Sequence, residues 1–466
     1  MTLITSISGI RGTIGAKSGE GLTPPDIIKF TSAYGAWVKK RAPKDAKVKV
    51  VVGRDARISG LNLNGLVCNT LNFMGIDVID LGLSTTPTVE IAVVAENAHG
   101  GIILTASHNP KQWNALKLLN EKGEFISEKE GAEVLKLAHN ADFDYAEINK
   151  LGKYYQNDTY LHKHIDLILA LPLVDVEAIK KKKYKIVVDA VNSTGGIYVP
   201  ELLRALGVAE VIQLHCAPTG DFPHNPEPLP DHLLELSMQV KRANAHLGIA
   251  VDPDVDRLAL INEDGEAFGE EYTLVAVADY VLQHTPGNTV SNLSSTRALK
   301  DITLKRKQEY NAAAVGEVNV VAKMKETQAI IGGEGNGGII YPELHYGRDA
   351  LVGIALFLSH LAKFGKPMSI LKATYPHYYI SKNKIELTPD INVDKVLAGV
   401  EKRYKQYGIN KTDGLKIDFD KEWVHLRKSN TEPIIRIYTE SDSMSTAENI
   451  AQKIISDIRE IIKKTA

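Results

Sequence analysis

The sequence predicts a multidomain α/β protein that closes on a module of different build. Three observations carry that reading. Its 466 residues are too many for one core and suggest roughly three or four domains. Short apolar runs alternate with helical patterns through most of the chain, as expected for a largely parallel sheet with crossover helices. Over the last ~95 residues the pattern changes to alternating strands with two helices, which is α+β and not another doubly wound unit.

The first unit opens with Ser8-Gly9-Ile10-Arg11-Gly12-Thr13, read as a tight loop that presents the Arg11 guanidinium. Residues 26–41 read as an amphipathic helix and 48–52 as a strand, followed by a polar loop at 53–60. A helix at 60–74, a strand at 76–81 and a helix at 86–96 come next. Gly101-Ile102-Ile103-Leu104 is a buried strand that runs into Thr105-Ala106-Ser107-His108-Asn109-Pro110. Pro110 prevents regular continuation, so the Ser107 hydroxyl sits at the mouth of a strand beside an imidazole and an amide. Lys117 belongs to the strand after it.

Residues 151–183 read as helical and charged, ending in a lysine run whose default is a solvated face. A second unit has strands at 184–188, 211–214 and 247–251, with helices reaching 206 and spanning 230–244. A loop with His224-Asn225-Pro226-Glu227-Pro228 follows its second strand, and Asp252-Pro253-Asp254-Val255-Asp256-Arg257 follows its third. A third unit carries Ser294-Ser295-Thr296-Arg297 and, after an apolar run at 329–331, the glycine-rich stretch 332–338. In the closing module strands are expected at 378–385, 423–426 and 434–438, and helices near 392–405 and 444–463.

A net charge of -2 gives no reason to expect nucleic acid or a polybasic membrane footprint. The two cysteines, Cys68 and Cys216, lie in unrelated contexts, which argues against a disulfide framework and for a reducing compartment. No apolar run reaches membrane-spanning length, and residues 1–5 lack a basic region ahead of an apolar core. A cytoplasmic location is the expectation.

Asp252, Asp254 and Asp256 can converge on one hard cation. A helix–loop–helix calcium motif fails for want of its glycine and bidentate glutamate at the required spacing. Magnesium suits better, because it takes few carboxylates and completes its shell with water or phosphate oxygen. The stretch 427–436 offers Arg427 and Arg436 with Ser429, Asn430 and Thr431 between them, a set able to clamp a phosphate. Glycines flanking Glu334 and Asn336 let backbone approach a ligand, and the carboxylate and amide could bind vicinal sugar hydroxyls. Neither the phosphate-loop nor the dinucleotide pattern is present. A positioned serine, a metal loop and a phosphate clamp suit phosphoryl transfer. They suit acyl transfer poorly, since Ser107 lacks a nucleophile elbow.

Together these four motifs, along essentially the whole chain, resemble the α-D-phosphohexomutase superfamily. Thr105 to Pro110 looks like its phosphoserine loop and Asp252 to Asp256 like its magnesium loop. Gly333 to Gly338 looks like its sugar-specificity loop and Arg427 to Arg436 like its phosphate-binding loop. The resemblance implies four domains around a central cleft: three related doubly wound α/β domains, at 1–152, 153–257 and 258–368, and a C-terminal α+β domain at 369–466. It implies that hexose 6-phosphate and 1-phosphate are interconverted through a phosphoserine at Ser107 and a sugar bisphosphate that turns over in the cleft. Ser107 and the three aspartates would hold Mg2+. Arg11 and Lys117 match positions near the reacting groups. Lys117 is a candidate general acid or base if its pKa is lowered, with His108 the second candidate. Arg257 would hold the phosphoserine. Glu334, Asn336, Arg427, Ser429, Asn430, Thr431 and Arg436 would bind substrate.

Some positions depart from the family pattern. Asn336 and Gly338 stand where many members have Ser and His, and Lys428 and Asn430 where Pro and Gly are common. The run 315–320 with Glu334-Gly335-Asn336-Gly337-Gly338 is similar to the archaeal-type branch of phosphoglucosamine mutases and broad phosphogluco/phosphomannomutases. Glucosamine phosphate is therefore the expected substrate, with glucose and mannose phosphates next. A non-catalytic sugar-phosphate binder would need none of the metal chemistry, and a phosphatase would have to admit water to the phosphoserine. Oligomeric state is left open.

Overall fold

The strands of the described residues assemble into four sheets. The structure, a computed structural model, describes residues 2–6, 9–44, 46–388, 391–428 and 434–465. The first sheet runs Ile4–Ser6, Gly9–Thr13, Trp113–Leu119, Gly101–Leu104, Lys49–Arg54, Asp77–Leu83, Tyr154–Gln156. Its last four strands are parallel to one another, and its first three are antiparallel to their neighbours.

Arg11 lies within the strand Gly9–Thr13 and not in a turn. The glycines around it serve close packing. A Cβ on Gly9 would lie 2.7 Å from the Leu116 carbonyl oxygen, and one on Gly12 would lie 2.9 Å from the Leu22 nitrogen. Gly9 also holds a φ of 118° where it pairs with Ser6 in a hairpin, as a turn residue would, whereas Gly12 marks backbone contact alone.

The second sheet runs Leu258–Asn262, Leu247–Val251, Lys185–Asp189, Glu210–Leu214, and the third Tyr310–Ala313, Thr289–Asn292, Ile331–Glu334, Gly338–Ile340. Each has three parallel strands and one antiparallel edge. Two boundaries shift as a result. Tyr154–Gln156, expected as helix beyond a border at 152, pairs with Val78, Ile79 and Asp80 of the first sheet. It is exposed throughout, so no apolar alternation betrays it. Leu258–Asn262 pairs with Leu247–Val251 and carries the second sheet past residue 257. The glycine-rich stretch is a hairpin whose first strand reaches Glu334. The fourth sheet is wholly antiparallel and includes Leu415–Asp418 and Gly408–Asn410, two short strands the pattern does not announce.

One apolar cluster runs through the second and third units and joins them. At its centre the helix Ala350–Phe364 is buried on every face from Ala350 to Ala362. Burying a side chain such as Phe357 contributes roughly 1.5–3 kcal/mol. The first and fourth units have cores of their own. Among the described residues no helix is long and apolar enough to cross a membrane.

Candidate active site

Three loops that leave the carboxyl ends of strands meet at Ser107, where ligands gather in such sheets. Thr105 follows Gly101–Leu104, Asp55 follows Lys49–Arg54 and Asp252 follows Leu247–Val251. Ser107 holds a left-handed backbone (φ 48°) and is nearly buried. Its N–H donates to Thr105 Oγ1 at 2.9 Å, and that hydroxyl donates to Asp55 Oδ2 at 2.7 Å. Arg57, buried, fastens the rest. Nη2 donates to the carbonyls of Ser107 and Asn109 at 2.5 and 2.7 Å, and Nη1 to those of Pro110 and Trp113 at 2.8 and 2.9 Å. Its Nε pairs with Asp55 at 3.0 Å. One guanidinium therefore shapes the whole loop. Arg57→Lys, which keeps the charge but not the fork, is expected to lower kcat about a hundredfold, the cost of misplacing a reacting atom by an ångström. An unchanged kcat in steady-state assays would refute this role.

The three aspartates are fully buried, with one carboxylate oxygen of each within 4.8 Å of the others. Ser107 Oγ donates to Asp252 Oδ2 at 2.8 Å. Asp252 Oδ1 accepts the N–H groups of Asp256 and Arg257, each at 3.1 Å. Asp254 Oδ2 accepts from Thr86 Oγ1 at 2.6 Å and Lys117 Nζ at 2.7 Å. Asp256 Oδ2 takes Arg348 Nη2 at 2.6 Å. Asp254 Oδ1 and Asp256 Oδ1 are buried without a hydrogen-bond partner. Burial, then Asp256 and Asp254, push the Asp252 carboxyl well above the usual carboxylate range. Orphaned oxygens and mutual repulsion among carboxylates fit a hard divalent cation.

Lys117 and His108, the two acid–base candidates, both flank the serine and the aspartates. Lys117 sits opposite Ile103 in the sheet and lies 2.7 Å from Asp254 and 3.6 Å from Asp256. Burial works to lower its pKa, but the charges of Asp254 and Asp256, with no cation on them, outweigh burial and raise it. His108 Nδ1 is 3.3 Å from Ser107 Oγ. Burial, then Arg257 and Arg348, bring its pKa down to about 2, which keeps the ring neutral.

Arg348, without any signal in the sequence, joins the metal loop to the sugar loop. Besides Asp256 it pairs with Glu317 at 3.0 Å and Glu334 at 2.9 Å. Glu334 also accepts from Asn292 Nδ2 at 2.8 Å and the Gly316 N–H at 3.0 Å, so its carboxylate is held in place. Asn336 beside it is half-buried, and its Oδ1 accepts the Gly338 N–H at 3.1 Å. Arg257 lies 3.2 Å from Glu227, and its Nε is buried without a hydrogen-bond partner.

Arg427 and Arg436 are cross-strand partners in the fourth sheet, with Lys384 next in the same row. Cations placed directly opposite repel. Asp413 offsets part of this at 2.7 Å from Arg427. Arg436 also approaches Arg11, whose pKa is lowered by burial and then by Arg436, and whose Nε is buried without a hydrogen-bond partner. Arg427 and Arg436, paired across the sheet, and the electrostatic influence of Arg436 on Arg11 make a setting for an anion. Ser429, Asn430 and Thr431 lie outside the described residues. The stretch Ser294 to Arg297 docks the fourth unit. Ser294 Oγ meets His425 Nδ1 at 2.9 Å, and the Arg297 N–H donates to Glu440 at 3.0 Å.

Arg57, Asp55, Thr86 and Arg348 are the site residues that sequence reasoning does not single out. Asp55 and Arg57 share a polar loop after a strand, and that position alone could have flagged them.

Family models match the chain in order. Those described as Phosphoglucomutase/phosphomannomutase, alpha/beta/alpha domains I, II and III match residues 3–145, 162–265 and 269–378, and that of the C-terminal domain matches 387–456. A phosphoglucomutase/phosphomannomutase of Thermococcus kodakarensis is 37% identical over 97% of this chain and 99% of the relative. A probable phosphoglucosamine mutase of Methanopyrus kandleri is 32% identical over 98% of each chain. The crystal structure of a phosphoglucomutase/phosphomannomutase family protein from Burkholderia thailandensis is 27% identical and superposes with a TM-score of 0.84, covering 99% of this chain and 97% of that one.

Proposed function

The chain belongs to the phosphoglucomutase/phosphomannomutase family, and from that premise we propose that it interconverts glucosamine 6-phosphate and glucosamine 1-phosphate. As a phosphohexomutase it is an isomerase, an intramolecular phosphotransferase. The observation that carries the phosphoryl-transfer chemistry is the Ser107 hydroxyl, 2.8 Å from a buried aspartate of a triad with two orphaned oxygens, and the glucosamine substrate is favoured by the name of the 32% identical relative.

In the proposed reaction Ser107 carries the phosphoryl group. The bond from phosphorus to Ser107 Oγ breaks as one forms to a sugar hydroxyl, whose proton passes by way of a neighbouring acid–base group to Ser107 Oγ, giving a sugar bisphosphate. That bisphosphate turns in the cleft, and its other phosphoryl group returns to Ser107. Asp252, Asp254 and Asp256 would hold Mg2+, which when bound supplies charge neutralisation at the phosphoryl oxygens. The transition state of phosphoryl transfer is loose, so positioning and charge do most of the work. Arg57 sets the Ser107 loop. Arg257 and Lys117 offer positive charge to the phosphate, and the family resemblance gives Arg11 the same task. The neutral His108 ring stands beside the hydroxyl. Glu334 and Asn336 read sugar hydroxyls from the hairpin.

Arg427 and Arg436, with Ser429, Asn430 and Thr431, hold the phosphate that is not reacting. That subsite must accept both orientations of the substrate. Arg427→Ala should lower kcat/KM about ten- to hundredfold in both directions, the scale of a lost charge-assisted contact. Loss in one direction alone, measured with the 6-phosphate and the 1-phosphate, would rule out a shared subsite.

A second reading, glucose and mannose phosphates, is favoured by the name of the 37% identical relative. Side-by-side kcat/KM values on glucosamine, glucose and mannose 6-phosphates decide between them. Glucosamine should rank first. A higher value for glucose or mannose selects the second reading, and release of free phosphate without isomer would overturn both.

A further inference from the structure

A second cluster of metal-ligand type lies at the carboxyl end of the second sheet, built from residues outside the phosphoryl-transfer site. Asp189 ends the strand Lys185–Asp189, and His215 follows Glu210–Leu214. His224 lies in the loop before the turn Pro230–His232. One donor atom from each of the three lies within 4.8 Å of the other two. Asp189 is buried, and the two imidazoles are largely so.

The hydrogen-bonding geometry calls for positive charge between His224 and Asp189, from a proton or from a metal ion. His224 Nδ1 lies 2.8 Å from the Asn225 carbonyl oxygen, so that nitrogen carries the hydrogen. The lone pair of Nε2 then faces Asp189 Oδ2 at 3.0 Å. Two acceptors face each other only with a proton or a metal between them. Asp189 Oδ1 is fixed by the Val191 N–H at 3.0 Å. Glu235 reaches His215 Nε2 at 3.1 Å and supplies a carboxylate at the rim. Cys216 turns its thiol onto the Leu214 and Val188 carbonyls, which leaves the donors as nitrogen and oxygen.

We propose that Asp189, His215 and His224 bind a divalent transition-metal ion of the zinc class. Two imidazoles and a carboxylate are the donor set of such ions, with a position left open. The all-oxygen triad at 252–256 selects a harder cation, so the two sites need not compete. The ion would pin the loop at 219–228, which braces the catalytic loops from behind. Phe222 packs 5.1 Å from the Arg57 guanidinium, Asp221 pairs with Lys111 at 2.7 Å, and Glu227 holds Arg257.

The test uses full-length protein stripped with a chelator, saturated with Mg2+ and titrated with Co2+ as a visible-absorbing probe. One equivalent should bind with the absorption of a four- or five-coordinate ion and be displaced by Zn2+. Binding should vanish in His224→Ala and His215→Ala and survive in Asp254→Asn. Zn2+ should raise the melting temperature of the wild type and leave the histidine variants unmoved. No binding to Mg2+-saturated wild type would mean that a proton alone joins His224 to Asp189, and would overturn the proposal. So would binding that survives His224→Ala and disappears in Asp254→Asn. Should a histidine variant fail to fold, the wild-type titration and Asp254→Asn still decide.

Discussion

Ser107→Ala should cut mutase turnover by at least about four orders of magnitude, the scale on which losing a covalent nucleophile acts. Its melting temperature should stay close to that of the wild type. Among the described residues the side chain hydrogen-bonds to Asp252 and His108. The contacts that shape the loop use the backbone instead, the N–H to Thr105 and the carbonyl to Arg57. Alanine therefore removes the proposed phosphoryl carrier and leaves its support standing. Mass spectrometry should find the mass of one phosphoryl group on the Ser107 peptide of active wild type and none on the same peptide of the variant. Wild-type turnover by Ser107→Ala, whatever its mass, would end the carrier assignment.

What made this site legible in the sequence is contiguity. Thr105 to Pro110 and Asp252 to Arg257 each place their chemistry within six neighbouring residues, directly after a recognisable apolar strand. The two arginines that organise them were not legible. Arg57 acts on the Ser107 carbonyl 50 positions away and Arg348 on Asp256 92 positions away. No local period records such a pairing. Arg11 lies in a strand and not in the loop its glycines suggest, because Gly12, needed for close backbone packing, looks in sequence like a second turn glycine beside Gly9.

Gly338, a departure from the family pattern in the sequence, has a local explanation in the fold. A Cβ there would lie 2.4 Å from Arg348 Cδ, and the head of Arg348 is fixed by three carboxylates and cannot give way. The stem of Arg348 occupies the space that a larger residue at 338 would need. In this chain the glycine at 338 and the arginine at 348 share one space.

That coupling makes Arg348→Met the second large effect. Methionine roughly keeps the volume of the stem and removes the charge. Burial opposes the guanidinium's charge, but Asp256, Glu317 and Glu334 more than compensate and raise its pKa well above the ordinary value. Burial raises the pKa of Glu317 even with Arg348 present. Without the arginine three buried carboxylates lose their shared partner, a situation that costs about 3–5 kcal/mol. The melting temperature should fall accordingly. Turnover should fall as well, because Asp256 and Glu334 are held by the same group and both would lose their orientation. Raising Mg2+ should restore part of the stability, since a cation at the triad offsets the charge left on Asp256 but not that on Glu317 and Glu334. A variant with wild-type stability and wild-type kcat/KM would show that the three carboxylates are held by other contacts. Lost stability with normal turnover in the folded fraction would confine Arg348 to a structural role.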